Sequence, residues 1–160
     1  MILKQVPHLL VASVLAWSAT SFAADVKLSC PAGTVERTRS SPNGAAYCVK
    51  TNQKVREPVL HGAYVDYWAN GQKQSEGQYQ DGFRTGRWTF WDANGVKTGE
   101  TEFVAGDYHG TRVQYFANGK PKMIEEYRKG LRSGSVQELN ENGQLVRQSQ
   151  FHDGHEVASR

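Results

Sequence analysis

One pattern recurs every 24 residues between Gly62 and Gly154, and no insertion breaks its phase. Gly62-Ala63-Tyr64-Val65-Asp66-Tyr67-Trp68-Ala69-Asn70-Gly71 is followed by Gly86-Arg87-Trp88-Thr89-Phe90-Trp91-Asp92-Ala93-Asn94-Gly95. The third copy runs from Gly110 to Gly119 and the fourth from Gly134 to Gly143. A fixed period of this size describes an array of small units, each of which buries its apolar face only against its neighbours.

Within each unit the residue types describe a β-hairpin. Aromatic and β-branched runs (Tyr64–Trp68, Trp88–Trp91, Val113–Phe116) favour strands. Asn-Gly follows, a dipeptide that tolerates positive φ and turns the chain back. The second, more polar strand ends in an aromatic (Tyr79, Phe103, Tyr127, Phe151) and then a glycine (Gly82, Gly106, Gly130, Gly154) that turns into the next unit. The class is therefore all-β.

Two columns stay apolar through all four units: Tyr67/Trp91/Tyr115/Leu139 and Tyr79/Phe103/Tyr127/Phe151. A shared core requires both on one face. A two-residue Asn-Gly turn pairs Tyr79 with Gly62 and separates them. A three-residue loop, Ala69-Asn70-Gly71 with Gly71 as a left-handed bulge, pairs Tyr79 with His61 and unites them. The second register is the expected one, and a further bulge would reverse its parity. It makes Trp91 core. It turns outward Tyr64, Trp68, Trp88, Phe90 and Phe116, an aromatic set that fades by the fourth unit, where Val136, Glu138 and Asn140 stand. An exposed patch of that kind marks a partner-binding surface unless a cap or a second copy covers it.

The ends are different material. Residues 1–23 carry Lys4, the apolar run Leu9–Trp17 and small residues up to Ala23, the pattern of a cleaved secretory signal, too short to span a bilayer. No second apolar run follows, so the sequence holds no candidate transmembrane segment. Residues 24–61 read as a cap. They hold the chain's two cysteines, Cys30 and Cys48, and an even count in an exported chain indicates a disulfide. Ala45–Lys50 and Val55–Leu60 are the strand candidates of the cap, with a turn at residues 51–54 between them. Pro58 suits an edge or a bulge. Residues 62–154 are the four units, and 155–160 a tail.

Charge excludes a nucleic-acid role: 19 Lys+Arg stand against 16 Asp+Glu, interleaved through the repeats rather than gathered on one basic face. Catalytic signatures are missing; there is no Gly-x-Ser-x-Gly, His-Glu-x-x-His or P-loop. Glu100/Glu102 and Glu125/Glu126 are expected to be solvated carboxylates, the second pair on opposite faces of one strand. His61 and His109 occupy a linker position, and His152-Asp153-Gly154-His155-Glu156 lacks the spacing of a metal site. No catalytic residue, cofactor or metal ligand is expected.

The Gly-x-[Tyr/Trp]-x-x-[Tyr/Trp] start, the Asn-Gly turn and the closing aromatic-x-x-Gly of Tyr79-Gln80-Asp81-Gly82 and its counterparts resemble the bacterial variant of the MORN repeat. The resemblance implies an elongated single-layer antiparallel sheet of successive hairpins acting as a scaffold or interaction surface. Some bacterial chains with this repeat are grouped with antitoxin or immunity-type proteins. The expectation is thus an exported, non-enzymatic module in the periplasm or beyond it. Its partner is another envelope or secreted protein or, alternatively, a cell-wall glycan. In the glycan reading Tyr64, Trp68, Trp88 and Phe90 stack on sugars, beside Gln74, Glu76, Gln78 and Glu102.

Overall fold

The computed structural model describes residues 27–40, 43–52 and 57–157. The signal-like segment 1–23 lies outside them. Among the described residues eleven strands follow one another in a single antiparallel sheet whose spatial order is the chain order. They are β1 (Thr34–Arg39), β2 (Ala45–Lys50), β3 (Leu60–Tyr67), β4 (Lys73–Gln80), β5 (Phe83–Trp91) and β6 (Lys97–Val104). Then come β7 (Asp107–Tyr115), β8 (Pro121–Arg128), β9 (Leu131–Leu139), β10 (Leu145–His152) and β11 (His155–Val157). The molecule is an elongated single layer, as the repeat implies.

The N-terminal hairpin differs from the one expected. Its strands are β1 and β2, paired from Thr34↔Lys50 to Arg39↔Ala45. The Cys30–Cys48 disulfide ties the segment before β1 to β2. Residues 53–54 of the expected turn and 55–56 of the expected strand Val55–Leu60 are outside the described set, and Glu57, Pro58 and Val59 precede the strand that opens at Leu60. Pro58 has no N–H to offer a ladder, which is why pairing starts beyond it. The Thr34–Arg39 strand was hidden by the turn formers on either side of it.

Two kinds of turn alternate. The Asn-Gly loops contain three residues, as expected: Trp68 N–H donates to the Gln72 carbonyl (2.8 Å), and Gly71, at φ 83°, donates to the Trp68 carbonyl (2.9 Å). The tight two-residue turns are the other set. Asp81 and Gly82 lie at φ 52° and 88°, and Ala105-Gly106, Lys129-Gly130 and Asp153-Gly154 repeat this geometry. Two successive positive φ values match the right-handed twist of the strands they join.

The expected register is overturned by a bulge next to each long loop. Asp66 pairs with Ser75 but Tyr67 with Lys73, leaving Gln74 as the extra residue. Thr98, Lys122 and Val146 are the extra residues in the following units. One inserted residue reverses every side chain beyond it. Tyr79 therefore pairs with Gly62, not His61. The two apolar columns lie on opposite faces.

On the first face Tyr79, Phe103 and Tyr127 join Tyr64, Trp88 and Tyr108 in an aromatic ladder. Successive ring centroids are 5.1 Å apart for Tyr64–Tyr79, 5.2 Å for Tyr79–Trp88, 6.1 Å for Trp88–Phe103 and 5.1 Å for Phe103–Tyr108. Trp88 is 0 % exposed and is the centre of this ladder. The second face carries Tyr67, Trp91 and Tyr115, each only half-buried, with Lys73 5.0 Å above Trp91 and Lys97 4.7 Å above Tyr115.

Candidate functional site

The first face has three transverse rows of side chains, read strand by strand from the pairings. The middle row runs Tyr64, Gly77, Trp88, Thr101, Arg112, Glu125, Val136. The row nearer the long loops runs Asp66, Ser75, Phe90, Gly99, Gln114, Met123, Glu138. The third, nearer the tight turns, carries Tyr79, Arg84, Phe103, Tyr108, Tyr127 and Arg132.

Two glycines interrupt these rows, with opposite outcomes. At Gly77 the Trp88 indole lies flat on the bare backbone; a methyl group there would overlap the ring. The indole N–H donates to the Gln78 carbonyl (3.2 Å), which satisfies the one polar atom of the buried ring. At Gly99 no neighbour moves in. A Cβ there would stand 3.1 Å from the Val113 carbonyl oxygen. The other units place Ser75, Met123 and Arg147 at this position.

The result is a depression of about 340 Å³ with Phe90 on one side and Gln114 on the other, bordered by Thr101, Tyr108 and Arg112. Thr98, Glu100 and Val113 complete its lining. It combines two aromatic rings with a hydroxyl, an amide and a guanidinium. That mixture suits a ligand with apolar ring faces and a polar edge.

The wall at Arg112 is held from behind by a buried carboxylate. Glu125, expected to be solvated, is 0 % exposed. It is ion-paired with Arg112 and with Arg132, the latter at 2.7 Å. Tyr127 donates its hydroxyl to Glu125 (3.2 Å), and the Gln114 amide lies 3.4 Å from the same carboxylate. Burial pushes the Glu125 pKa up, but the Arg112 and Arg132 guanidiniums outweigh it and hold the carboxyl below its ordinary value. Arg112 has five N–H donors, and a single nitrogen, Nη1, carries its bond to Glu125. Glu126, the adjacent carboxylate, points to the other face and is exposed.

The aromatic set expected to form one exposed patch is dispersed. Trp88 is enclosed, so no partner reaches it, and Tyr64 is half-buried against Tyr79 and Trp88. Trp68 and Phe116 sit at the long loops, where Trp68 Nε1 donates to the Trp91 carbonyl (3.0 Å) and Lys122 stands 5.8 Å over Phe116. Phe90 alone of the five lines the depression. The polar partners expected beside it, Glu76, Gln78 and Glu102, belong to the second face. The residues that do surround it were visible in sequence only as irregularities of the period: Gly99 where Met123 stands later, Arg112 in the column of Tyr64 and Trp88, and Glu125 in that of Gly77 and Thr101. Among the described residues, no group of three or more His, Cys, Asp or Glu is placed to hold a metal ion.

Comparison with known proteins places family resemblance on the same repeat. A family model described as the MORN repeat variant matches residues 60–81 and 108–129. These segments cover β3–β4 and β7–β8, the first and third units. No curated protein matches the chain. Among solved structures, a chain of a Glycosylation Associate Protein (Gap123) complex from Streptococcus agalactiae is similar at 16 % identity and a TM-score of 0.39, over 70 % of this chain and 20 % of that one. This chain thus spans about a fifth of that one's length.

Proposed function

We propose that this chain is an exported, non-catalytic repeat module of the MORN-variant type that binds a cell-envelope saccharide in the depression over Gly99. The observation that carries the reading is the vacant side-chain position itself. A continuous row of side chains is broken at one residue, and the opening is bordered by Phe90 and Tyr108 together with Thr101, Arg112 and Gln114. Aromatic faces contact the C–H faces of a pyranose, while the polar groups match its hydroxyls. Export, ahead of a soluble envelope role, follows from the N-terminal signal pattern and accords with the Cys30–Cys48 disulfide.

Sedimentation of the purified protein with cell-wall sacculi tests the proposal. Wild-type protein is expected in the pellet. Gly99→Met, which installs the residue found one unit later, is expected to remain in the supernatant while still melting in one cooperative transition, at a slightly lower temperature because its Cβ meets the Val113 carbonyl. Equal pelleting of both proteins, or no pelleting of either, overturns the assignment.

A second reading, docking of an envelope protein, rests on the outer edge of β1. Its neighbour on one side is β2, and the other side is unpaired among the described residues. Such an edge accepts a partner strand. Cross-linked capture of one envelope protein, combined with failure to sediment with sacculi, would favour it.

A further inference from the structure

We infer that the saccharide held over Gly99 carries a carboxylate, which Arg112 reads as a charged fork. This deepens the saccharide reading and rests on it. The evidence is the balance of charge around the depression. One carboxylate of this face is present there, Glu125 behind the wall, and it is not left to meet a ligand. The Glu100 side chain turns to the second face, where it is ion-paired with Lys97 and accepts the Tyr115 hydroxyl (3.1 Å). Glu125 is enclosed and shared between Arg112 and Arg132. Arg112 and Arg132 therefore outnumber this acid by one positive charge.

That excess is presented rather than scattered. Glu125 fixes one nitrogen of Arg112, so the guanidinium is oriented while its other donors stay available beside the depression. An arginine fork held in this way bonds a carboxylate through two parallel N–H groups. Further along the same face Arg84 stacks 4.4 Å from the centre of the Trp88 ring. No carboxylate among the described residues lies within 4.0 Å of it. Another guanidinium of this face thus stands on β5, where an acidic ligand long enough to reach past the depression would meet it. Glu125 is a positioning residue in this scheme.

The inference is tested by calorimetric titration with a glucuronate-containing oligosaccharide and with the same oligosaccharide after reduction of its carboxyl groups. Wild-type protein is expected to bind the acidic form at least about tenfold more tightly, the scale of a charge-assisted hydrogen bond, and to lose that preference as ionic strength rises. Arg112→Met is expected to bind both forms equally, at the affinity wild type shows for the reduced one. Arg132 remains in that variant to hold Glu125, so the fold is retained at lower stability, and a single cooperative circular-dichroism melting transition above the titration temperature verifies it. Equal wild-type affinity for the two forms overturns the acidic inference and leaves the saccharide reading standing. Binding of neither overturns both. Equally tight binding of poly-glutamate, a polyanion without sugar rings, overturns both as well.

Discussion

Trp88 and Glu125 lie on the same row of the same face, and both are enclosed, yet their removal has different consequences. Trp88 meets four rings, Tyr64, Tyr79, Phe90 and Phe103, with Arg84 above it. Trp88→Ala is expected to destabilise by about 3–5 kcal/mol in chemical denaturation. Trp91→Ala, on the half-buried opposite face, is expected to cost roughly 1–2 kcal/mol. That order is the reverse of what the period alone suggests. Glu125→Gln leaves two arginines short of a counter-charge, but their side chains are 29 % and 42 % exposed and water compensates in part. The expected loss is about 1–3 kcal/mol. Because the folded-state pKa of Glu125 is lowered, this stabilisation is complete above the ordinary glutamate range and is lost as pH falls through the folded-state value. Melting curves of wild type and Glu125→Gln should therefore diverge at neutral pH and converge in acid.

At the scale of the hairpin, the tight turns show where sequence and geometry disagree. Each needs two successive positive φ values, and Ala105 meets that need at φ 51° without the side-chain hydrogen bonding that makes asparagine tolerant there. Ala105→Asn is expected to raise stability by roughly 1 kcal/mol in denaturant titration. The strands of the four units, the four long loops and the disulfide were legible, because each depends on local residue types: aromatic runs, Asn-Gly, an even cysteine count; β1, and β11 in what reads as a tail, were not. The face of each side chain was not. It hinges on Gln74 and its counterparts, ordinary residues that bulge because the three-residue loop and the ladder beyond it differ in register by one. Nothing in the identity of Gln74, Thr98, Lys122 and Val146 announces this. Hence Phe90 entered the expected patch through a register the structure does not have, and Gly99, whose contribution is an absence, drew no attention.

At the scale of the whole sheet, stability passes from neighbour to neighbour, since each strand pairs only with the strands adjacent to it in sequence. The N-terminal end has a covalent tie. Cys48 is buried, Pro31 packs on Gly62, and the bridge spans a sequence separation of 18. Reduction is expected to lower stability by about 3 kcal/mol on the loop-entropy model. Because coupling runs through nearest neighbours, amide exchange should accelerate most in β1–β3 and least in β8–β10. Uniform acceleration would show instead that the layer melts as one body.

The vacancy at Gly99 has a further meaning because it sits in a translational lattice. Two strands advance the sheet by about 10 Å, so every unit repeats the same backbone position one step along, with Gln114 and Arg132 standing where the open unit has Phe90 and Tyr108. Met123→Gly would bare a second such position in register with the first. A polymer whose own subunits advance by a comparable step could then be gripped twice, and affinity would rise through valency. The repeat is in this sense a ruler on which one division has been left unfilled.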